Sequence, residues 1–206
     1  MIVTELVEIN RSRSKVYLDG EFAFVLYKGE LRRYGIRTGE ELKEEIYREI
    51  LDTLLVKRAK VRSMSLLKDR PYTERQLRDK LQQGGYPESV SDLAVDYLKS
   101  YGYLNDLTYA EDYIEYHSST RSRRRIEQDL AGKGVNRELI RQAFARWEEL
   151  GGQMEEEKQI RAWLQKKNYD IHTEDPKQKQ KMMAFLYRKG FGAELIRKVL
   201  NCEDFS

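Results

Sequence analysis

Leu77-Arg-Asp-Lys-Leu81-Gln-Gln-Gly-Gly85-Tyr86 is one of three segments in which apolar residues flank a glycine at fixed distances. The pattern returns around Gly134 and around Gly190. Each copy has an apolar residue four positions before the glycine, another directly after it and another five positions after it; these are Leu81, Leu130 and Leu186, then Tyr86, Val135 and Phe191, then Val90, Leu139 and Leu195. Spacing of this kind is typical of amphipathic helices on both sides of a turn, and its recurrence predicts a helical repeat.

A further helical stretch precedes each copy, at 59–67, 109–117 and 160–164, which makes three helices per repeat. Several helix ends carry their own signals. Thr73-x-x-Gln76 and Thr38-x-x-Glu41 have the form of capping boxes and predict helix starts. Gly84-Gly85 suits a left-handed helix ending. In the third copy an extra segment, 165–176, ends at Pro176, where we expect the helix to restart.

The first 37 residues have a different pattern. Asp19-Gly20 lies between two apolar runs, 15–18 and 21–27, and favours a type I′ hairpin turn. Residues 2–9 predict a third strand, and so small a sheet should pack on the first helix. The predicted fold is mainly α: tandem three-helix modules, three in number, in an elongated curved array with a small N-terminal three-stranded extension. The expected boundaries are 1–37, 38–104, 105–152 and 153–206.

Charge is high and arranged in blocks. Charged residues make up 35% of the chain and hydrophobic residues 40%, which favours small modules with thin cores over one large core. The net charge is only +3, but basic and acidic stretches alternate; the basic ones are 57–80, 118–146 and 176–198, and the acidic ones are 86–115 and 148–157. Two interpretations stay open: oppositely charged neighbouring helices pair with each other, or the basic helices line one face for a partner.

No catalytic or metal site is predicted. The two histidines, His117 and His172, are far apart, and the single cysteine, Cys202, has no histidine near it. A phosphate-binding glycine loop is also missing. We therefore expect a non-enzyme without a cofactor. The lone cysteine favours a reducing compartment, and the start of the chain does not resemble a signal peptide. The longest apolar run, 22–27, is far too short to span a membrane. These features predict a cytoplasmic protein, and a repeat array is expected to be a monomer.

Three basic clusters are the candidate contacts with a partner. The densest is Arg121-Ser-Arg-Arg-Arg125, in which Arg121, Arg124 and Arg125 are expected to share one face of a helix. The alternative is a solvated face balanced by Glu127 and Asp129. The full candidate set is Lys57, Arg58, Lys60, Arg62, Arg75, Arg78, Arg121, Arg123, Arg124, Arg125, Lys177, Lys179 and Lys181. Four tyrosines on apolar stripes are expected in the core: Tyr97, Tyr101, Tyr109 and Tyr113.

These motifs resemble those of the bacterial RecX family across about residues 55–200. The resemblance is carried by Leu77-x-x-x-Leu81…Gly85-Tyr86, Tyr101-Gly-Tyr-Leu-Asn-Asp106…Tyr109-Ala110, Arg123-Arg-Arg-Ile126…Lys133-Gly134-Val135 and Lys179…Gly190-Phe191. It implies a regulator of the RecA recombinase in DNA repair, homologous recombination and the SOS response. Family members associate with the RecA–single-stranded-DNA filament and commonly inhibit its ATPase and strand exchange. The resemblance transfers the fold and not the contacts, so the basic candidates above are inferred from charge alone.

The implied partners are the RecA filament and, as a further candidate, single-stranded DNA. One alternative is a general single- or double-stranded DNA-binding helical protein that acts without RecA. Another is a nuclease, which would need a carboxylate cluster that the sequence does not offer.

Overall fold

The computed structural model describes residues 1–200, so the expectation attached to Cys202 lies outside the described residues. The chain separates into two compact units, Met1–Asn105 and a second unit that begins at Asp106. Across the described range no helix combines the length and the apolarity that crossing a bilayer requires.

The N-terminal sheet has three antiparallel strands in the order β1-β2-β3. They are β1 (Val3–Glu8), β2 (Arg13–Leu18) and β3 (Glu21–Tyr27). Asp19 and Gly20 connect β2 to β3 with φ values of 50° and 91°. Positive φ at both central positions is the signature of a type I′ turn, whose twist matches that of the strands. The predicted hairpin and the predicted third strand are both confirmed.

A short helix, α1 (Lys28–Arg33), follows the sheet. The next helical stretch has three consecutive parts: α2 (Glu44–Arg48), a π-helical segment (Glu49–Leu55) and α3 (Val56–Asp69). The helix start predicted at Thr38 is wrong, because the N-cap is Lys43. Backbone groups between these positions bond to the first strand instead: the Gly39 N–H donates to the Val3 carbonyl at 2.8 Å.

Module 1 consists of α3, α4 (Glu74–Gln83) and α5 (Glu88–Ser100). The capping box at the start of α4 is confirmed, since the Thr73 hydroxyl accepts from the Gln76 N–H at 3.2 Å. The core of this module is continuous with the sheet, because Phe24 and Leu26 are fully buried in one cluster with Leu55 and with residues of α3, α4 and α5. The sheet therefore packs on the helices, as expected for a sheet too small to fold alone.

The second unit contains modules 2 and 3. Module 2 consists of α6 (Asp106–His117), α7 (Arg123–Gly132) and α8 (Arg137–Glu149). Module 3 consists of α9 (Glu156–Lys166), α10 (Pro176–Arg188) and α11 (Ala193–Val199). Each has its own buried cluster, which includes Ile126 and Phe144 in module 2, and Leu186 and Phe191 in module 3. The helix restart at Pro176 is confirmed, and so are the mainly α class and the three three-helix modules.

Modules 2 and 3 meet through side chains that bond to main-chain groups. The Ser122 hydroxyl donates to the Lys189 carbonyl at 2.9 Å. The Gln159 side-chain amide donates to the Ser118 carbonyl at 2.6 Å. Gly190 follows Lys189 with φ of 95°, and a Cβ there would overlap the Ser122 hydroxyl. The glycine of the repeat pattern thus serves both the turn and the approach of the next module.

Candidate functional site

The arginine-rich segment 121–125 spans the start of α7. Ser122 is the N-cap of this helix, and its hydroxyl accepts from the Arg125 N–H at 3.3 Å. Arg121 therefore lies before the helix, and the prediction that it shares a helical face with Arg124 and Arg125 is wrong. A serine side chain that bonds to the backbone two or three residues ahead is a strong helix start, and it outweighs the helix propensity of the preceding arginine.

Two of these arginines converge on one carboxylate. Arg121 Nη1 lies 2.6 Å from Asp129 Oδ2, and Arg125 Nε lies 3.1 Å from Asp129 Oδ1. The same Arg121 nitrogen donates to the Tyr113 hydroxyl at 2.7 Å. Burial raises the pKa of the Tyr113 phenol, and the Asp129 charge raises it further. This network links α6 to α7, so part of the basic cluster is used inside module 2.

The other two arginines of the segment differ from each other. Arg123 pairs with Glu127 at 3.2 Å and with Glu148, and its guanidinium lies 4.2 Å from the centre of the Phe144 ring. Arg124 is exposed, lies 5.4 Å from the ring of Tyr187 and makes no ion pair within residues 1–200. Arg124 is thus the member of the cluster whose charge is least compensated.

A pocket of about 570 Å³ opens between the start of α7 and module 3. No carboxylate lines it. Its charged and aromatic lining residues are Arg121, Arg125, Arg188, Lys189, Trp163, Phe185 and Phe191. The Lys189 ammonium lies 4.5 Å from the Trp163 ring centre and 5.5 Å from that of Phe185. Arg188 is exposed and makes no ion pair in the described part of the chain. Cations beside aromatic faces suit an anion that carries a planar group or an acidic protein surface.

Reasoning from the sequence missed four residues of this pocket: Arg188, Lys189, Trp163 and Phe185. One signal was available. A lysine stands directly before the repeat glycine in modules 2 and 3, as Lys133 and Lys189. Lys133 lies 5.4 Å from the ring of Tyr113 on the first helix of its module, and Lys189 lies over Trp163 on the first helix of its own. The repeat therefore places a lysine on an aromatic ring at equivalent positions.

The cluster at 57–80 is partly neutralised. Arg58 pairs with Glu30 and also donates to the Val25 carbonyl at 3.3 Å. Arg78 lies 2.7 Å from Asp92, and the Lys60 ammonium lies 4.0 Å from the Tyr97 ring centre. Three further candidates make no ion pair within residues 1–200: Lys57, Arg62 and Arg75. As contacts with a partner, all the residues of this cluster stay predictions.

The third cluster lies in the first half of α10. Lys177 and Lys181 are exposed and Lys179 is partly exposed, and none makes an ion pair in the described range. They do not line the pocket described above. As candidate contacts these lysines also stay predictions.

Three of the four tyrosines expected in the core pack against it: Tyr97, Tyr109 and Tyr113 are partly buried. Tyr101 is 63% exposed, so that expectation is wrong. It is the C-cap of α5, beyond the last buried turn of the helix, and its ring lies against Tyr97 and Tyr103 instead.

The histidine and carboxylate side chains do not assemble into a metal-binding cluster in the described range. Within residues 1–200 no three or more such groups come together in a way that could hold an ion. His117 lies against the rings of Tyr113 and Tyr116, with centroid distances of 4.3 Å and 4.8 Å. Burial lowers the pKa of this histidine, and the nearby charge of Arg121 lowers it further.

Three family models match the chain in the order of its modules. They describe the first, second and third three-helix domains of RecX, and they match residues 59–98, 105–143 and 155–200. Two solved structures have the same fold. A crystal structure of regulatory protein RecX has a TM-score of 0.60 at 21% identity and covers 98% of this chain and 99% of the other. RecX from Lactobacillus salivarius has a TM-score of 0.56 at 17% identity, covering 71% and 95%.

Relatives match along nearly the whole length. Regulatory protein RecX of Caldanaerobacter subterraneus is 34% identical over 98% of this chain and 99% of its own. Regulatory protein RecX of Clostridioides difficile is 30% identical over 97% of this chain and 94% of its own. With the three modules matched in order and whole-length relatives at this identity, the chain belongs to the RecX family of regulatory proteins.

Proposed function

We propose that this protein regulates the RecA recombinase by binding the RecA–single-stranded-DNA filament, and that it inhibits the filament's ATPase and strand exchange and reduces its stability. It would do so in the cytoplasm, as a monomer and without catalysing a reaction. The observation that carries the proposal is the pocket of the second unit, where Arg188 and Lys189 present uncompensated charge beside Trp163. Family membership supports a regulatory role, and the proposal takes RecA as the target.

The pocket favours an acidic or phosphate-bearing surface for a physical reason. Four cations line it, and Asp129 neutralises part of the charge of only two of them, Arg121 and Arg125. Arg188 and Lys189 are left to an external anion. An ion pair that replaces water around such groups contributes more to specificity and association rate than to affinity, so the proposed role of the pocket is to orient the protein on the filament.

The first test is RecA's single-stranded-DNA-dependent ATP hydrolysis, titrated with the full-length protein at less than one copy per RecA. Arg188→Glu reverses an exposed charge that has no partner in the described range. Arg137→Glu is the matched control, because Arg137 is exposed in the first turn of α8, makes no ion pair there and lies outside the pocket. We expect inhibition by the unaltered protein and by Arg137→Glu, and a roughly tenfold weaker inhibition by Arg188→Glu.

Alanine variants of Arg121 and Arg125 are a poorer choice, because they would leave Asp129, which is 15% exposed, without its counterions. The resulting loss of stability would be mixed with any weakening of the contact with RecA. Absence of inhibition at any ratio by the unaltered protein would refute the proposal.

A second candidate function is general binding of DNA without RecA. The aromatic lining of the pocket favours it, since Trp163 and Phe185 offer surfaces on which bases could stack. Anisotropy of a labelled single strand, measured without RecA, separates the two. Tight binding whose affinity falls steeply with salt, together with an unaffected RecA ATPase, would favour this alternative.

A further inference from the structure

The first unit has a basic pocket of its own, of about 500 Å³, between the hairpin and module 1. Its charged and aromatic lining residues are Arg13, Arg58, Arg62, Lys80, Tyr27 and Tyr86, and no carboxylate lines it. Arg13 comes from β2, and the other cations come from α3 and α4. The pocket therefore exists only because the sheet packs on the helices, and neither the hairpin nor the helical repeat alone would form it.

The four cations are compensated to different degrees. Arg58 is fixed by Glu30 and by the Val25 carbonyl, and both side chains of that ion pair are about one-fifth exposed, at 21% and 20%. Lys80 bonds only to the neutral Gln83 side chain, at 3.3 Å. Arg13 and Arg62 make no ion pair within residues 1–200. Three positive charges thus line one cavity without a carboxylate partner, an arrangement that favours an anionic ligand.

Two tyrosine rings lie beside these charges. Tyr27 is 42% exposed, and the Arg58 guanidinium lies 4.8 Å from its ring centre. Tyr86 is half-buried; burial raises the pKa of its phenol, while the charges of Arg58 and Arg62 oppose that shift. Those two guanidiniums are therefore close enough to act on the Tyr86 hydroxyl.

The glycine pair of the first repeat forms part of the cavity wall. Gly84 and Gly85 line it, and Gly85 packs so closely on β3 that a Cβ there would overlap the Val25 side chain. Its φ of 85° also disfavours other residues. A side chain at either glycine would therefore crowd Tyr86 or Val25, two residues that line the same cavity.

We propose that this pocket binds a nucleotide unit of single-stranded DNA, with a backbone phosphate on Arg13, Arg62 and Lys80 and a base against Tyr27 or Tyr86. Guanidinium groups match phosphate oxygens in geometry as well as in charge. An acidic peptide would use the cations but not the rings, whereas every base has a face that stacks on an aromatic side chain. This contact with DNA would not require RecA. It would lie in the first unit, whereas the pocket lined by Arg188 and Lys189 lies in the second.

The test measures binding of a fluorescein-labelled oligothymidylate to the full-length protein by anisotropy, in the absence of RecA and over a range of salt. The double variant Arg13→Gln/Arg62→Gln removes the two cations without ion pairs. We expect roughly tenfold weaker binding at about 50 mM salt. The slope of log affinity against log salt, which is negative, should also become shallower by about 0.7 for each phosphate that the variant no longer neutralises.

The matched control is Arg32→Gln/Lys68→Gln. Both residues are exposed, belong to the first unit, make no ion pair within residues 1–200 and lie outside the pocket. The control has the same net charge as the test variant, so it should keep the original affinity and slope. Equal reductions of affinity in the two double variants would overturn the proposal, because they would reflect net charge alone.

Two further arms identify the ligand. Tyr27→Leu keeps every charge, and we expect it to weaken binding of oligothymidylate but not of an abasic strand. Competition by ATP and by inorganic triphosphate tests whether a free nucleotide is the ligand instead. If ATP binds and its affinity depends on Arg13 and Arg62 while that of the strand does not, the proposal is wrong.

Discussion

Ser122 and Gly190 meet at the junction of modules 2 and 3. The serine hydroxyl lies so close to Gly190 that the Cβ of any other residue at position 190 would overlap it. The same hydroxyl caps α7 and donates to the Lys189 carbonyl. One serine thus starts a helix of module 2 and holds the turn of module 3.

Gly190→Ala should therefore weaken the docking of module 3. The left-handed φ of 95° costs an alanine about 1–3 kcal/mol, and the overlap with Ser122 adds to that cost. Chemical denaturation measures the change in the free energy of unfolding. Gly132→Ala is the control, because Gly132 is the last residue of α7 and has open space around its Cβ, and alanine there should stabilise by about 0.4–1 kcal/mol. Equal effects of the two variants would contradict this prediction.

Leu26→Ala should unfold more than the hairpin. Leu26 is fully buried in a cluster that joins the sheet to Ala59, Leu81 and Ala94 of module 1. Removing it should cost about 2–5 kcal/mol. Hydrogen exchange should show faster exchange in α4 and α5 as well as in β3. Val7→Ala, on the exposed side of β1, should change stability by less than about 0.5 kcal/mol. Faster exchange confined to the sheet would mean that the sheet folds independently.

The Glu30–Arg58 pair should couple α1 to α3 measurably. Both side chains are about one-fifth exposed, so solvent screens them less than a surface pair. A double-mutant cycle with Glu30→Gln and Arg58→Gln should give a coupling energy of about 1–2 kcal/mol. The reference cycle is Glu138–Arg141, whose side chains are 68% and 75% exposed, and it should give less than about 0.5 kcal/mol. Similar values in both cycles would rule out a structural role for the first pair.

Stability should fall as His117 becomes protonated. Its pKa in the folded protein is below the ordinary value of 6.5, because burial and the charge of Arg121 disfavour the imidazolium, although Asp129 opposes them. The unfolded chain therefore takes up the proton first, and the contribution of neutral His117 is lost as the pH falls below about 6.5. NMR titration should place its midpoint below 6.5. The melting temperature should fall less between about pH 7.5 and 5.5 in His117→Gln than in the unaltered protein. If both proteins show the same fall, other groups are responsible for the pH dependence.

Local patterns predicted the elements well where one backbone segment decides the outcome. Asp19-Gly20, the Thr73 box and Pro176 each act on their own turn or helix end, and each is confirmed. The helix start predicted from the Thr38 box is wrong because the backbone that follows it forms hydrogen bonds with β1, a strand distant in sequence. Tyr101 continues the apolar spacing of α5 and was therefore expected in the core. It lies beyond the last turn of the helix that the rest of the module buries, so it is exposed.

The candidate site was less predictable, because ion pairing depends on tertiary neighbours. From the charge of the sequence alone, Arg58, Arg62 and Arg78 are equally good candidates for contact with a partner. In the structure Arg58 is paired with Glu30 and Arg78 with Asp92, and only Arg62 is left without a carboxylate in the described range. The pockets were missed for the same reason. Arg13 lies outside the basic stretches, and Lys189 lies in the third stretch but eight residues after its lysine cluster; packing brings each of them beside other cations.

The hydrogen bonds that join modules 2 and 3 have a consequence for protein engineering. In three of them one partner is a main-chain group. These groups are the carbonyls of Lys189 and Ser118, and the N–H of Arg123, which donates to Glu156 at 2.7 Å. Main-chain groups do not change when a side chain is replaced. Chimaeras that exchange module 3 between family members should therefore assemble, provided that the serine, the glycine and the two acceptor or donor side chains on α9 are kept.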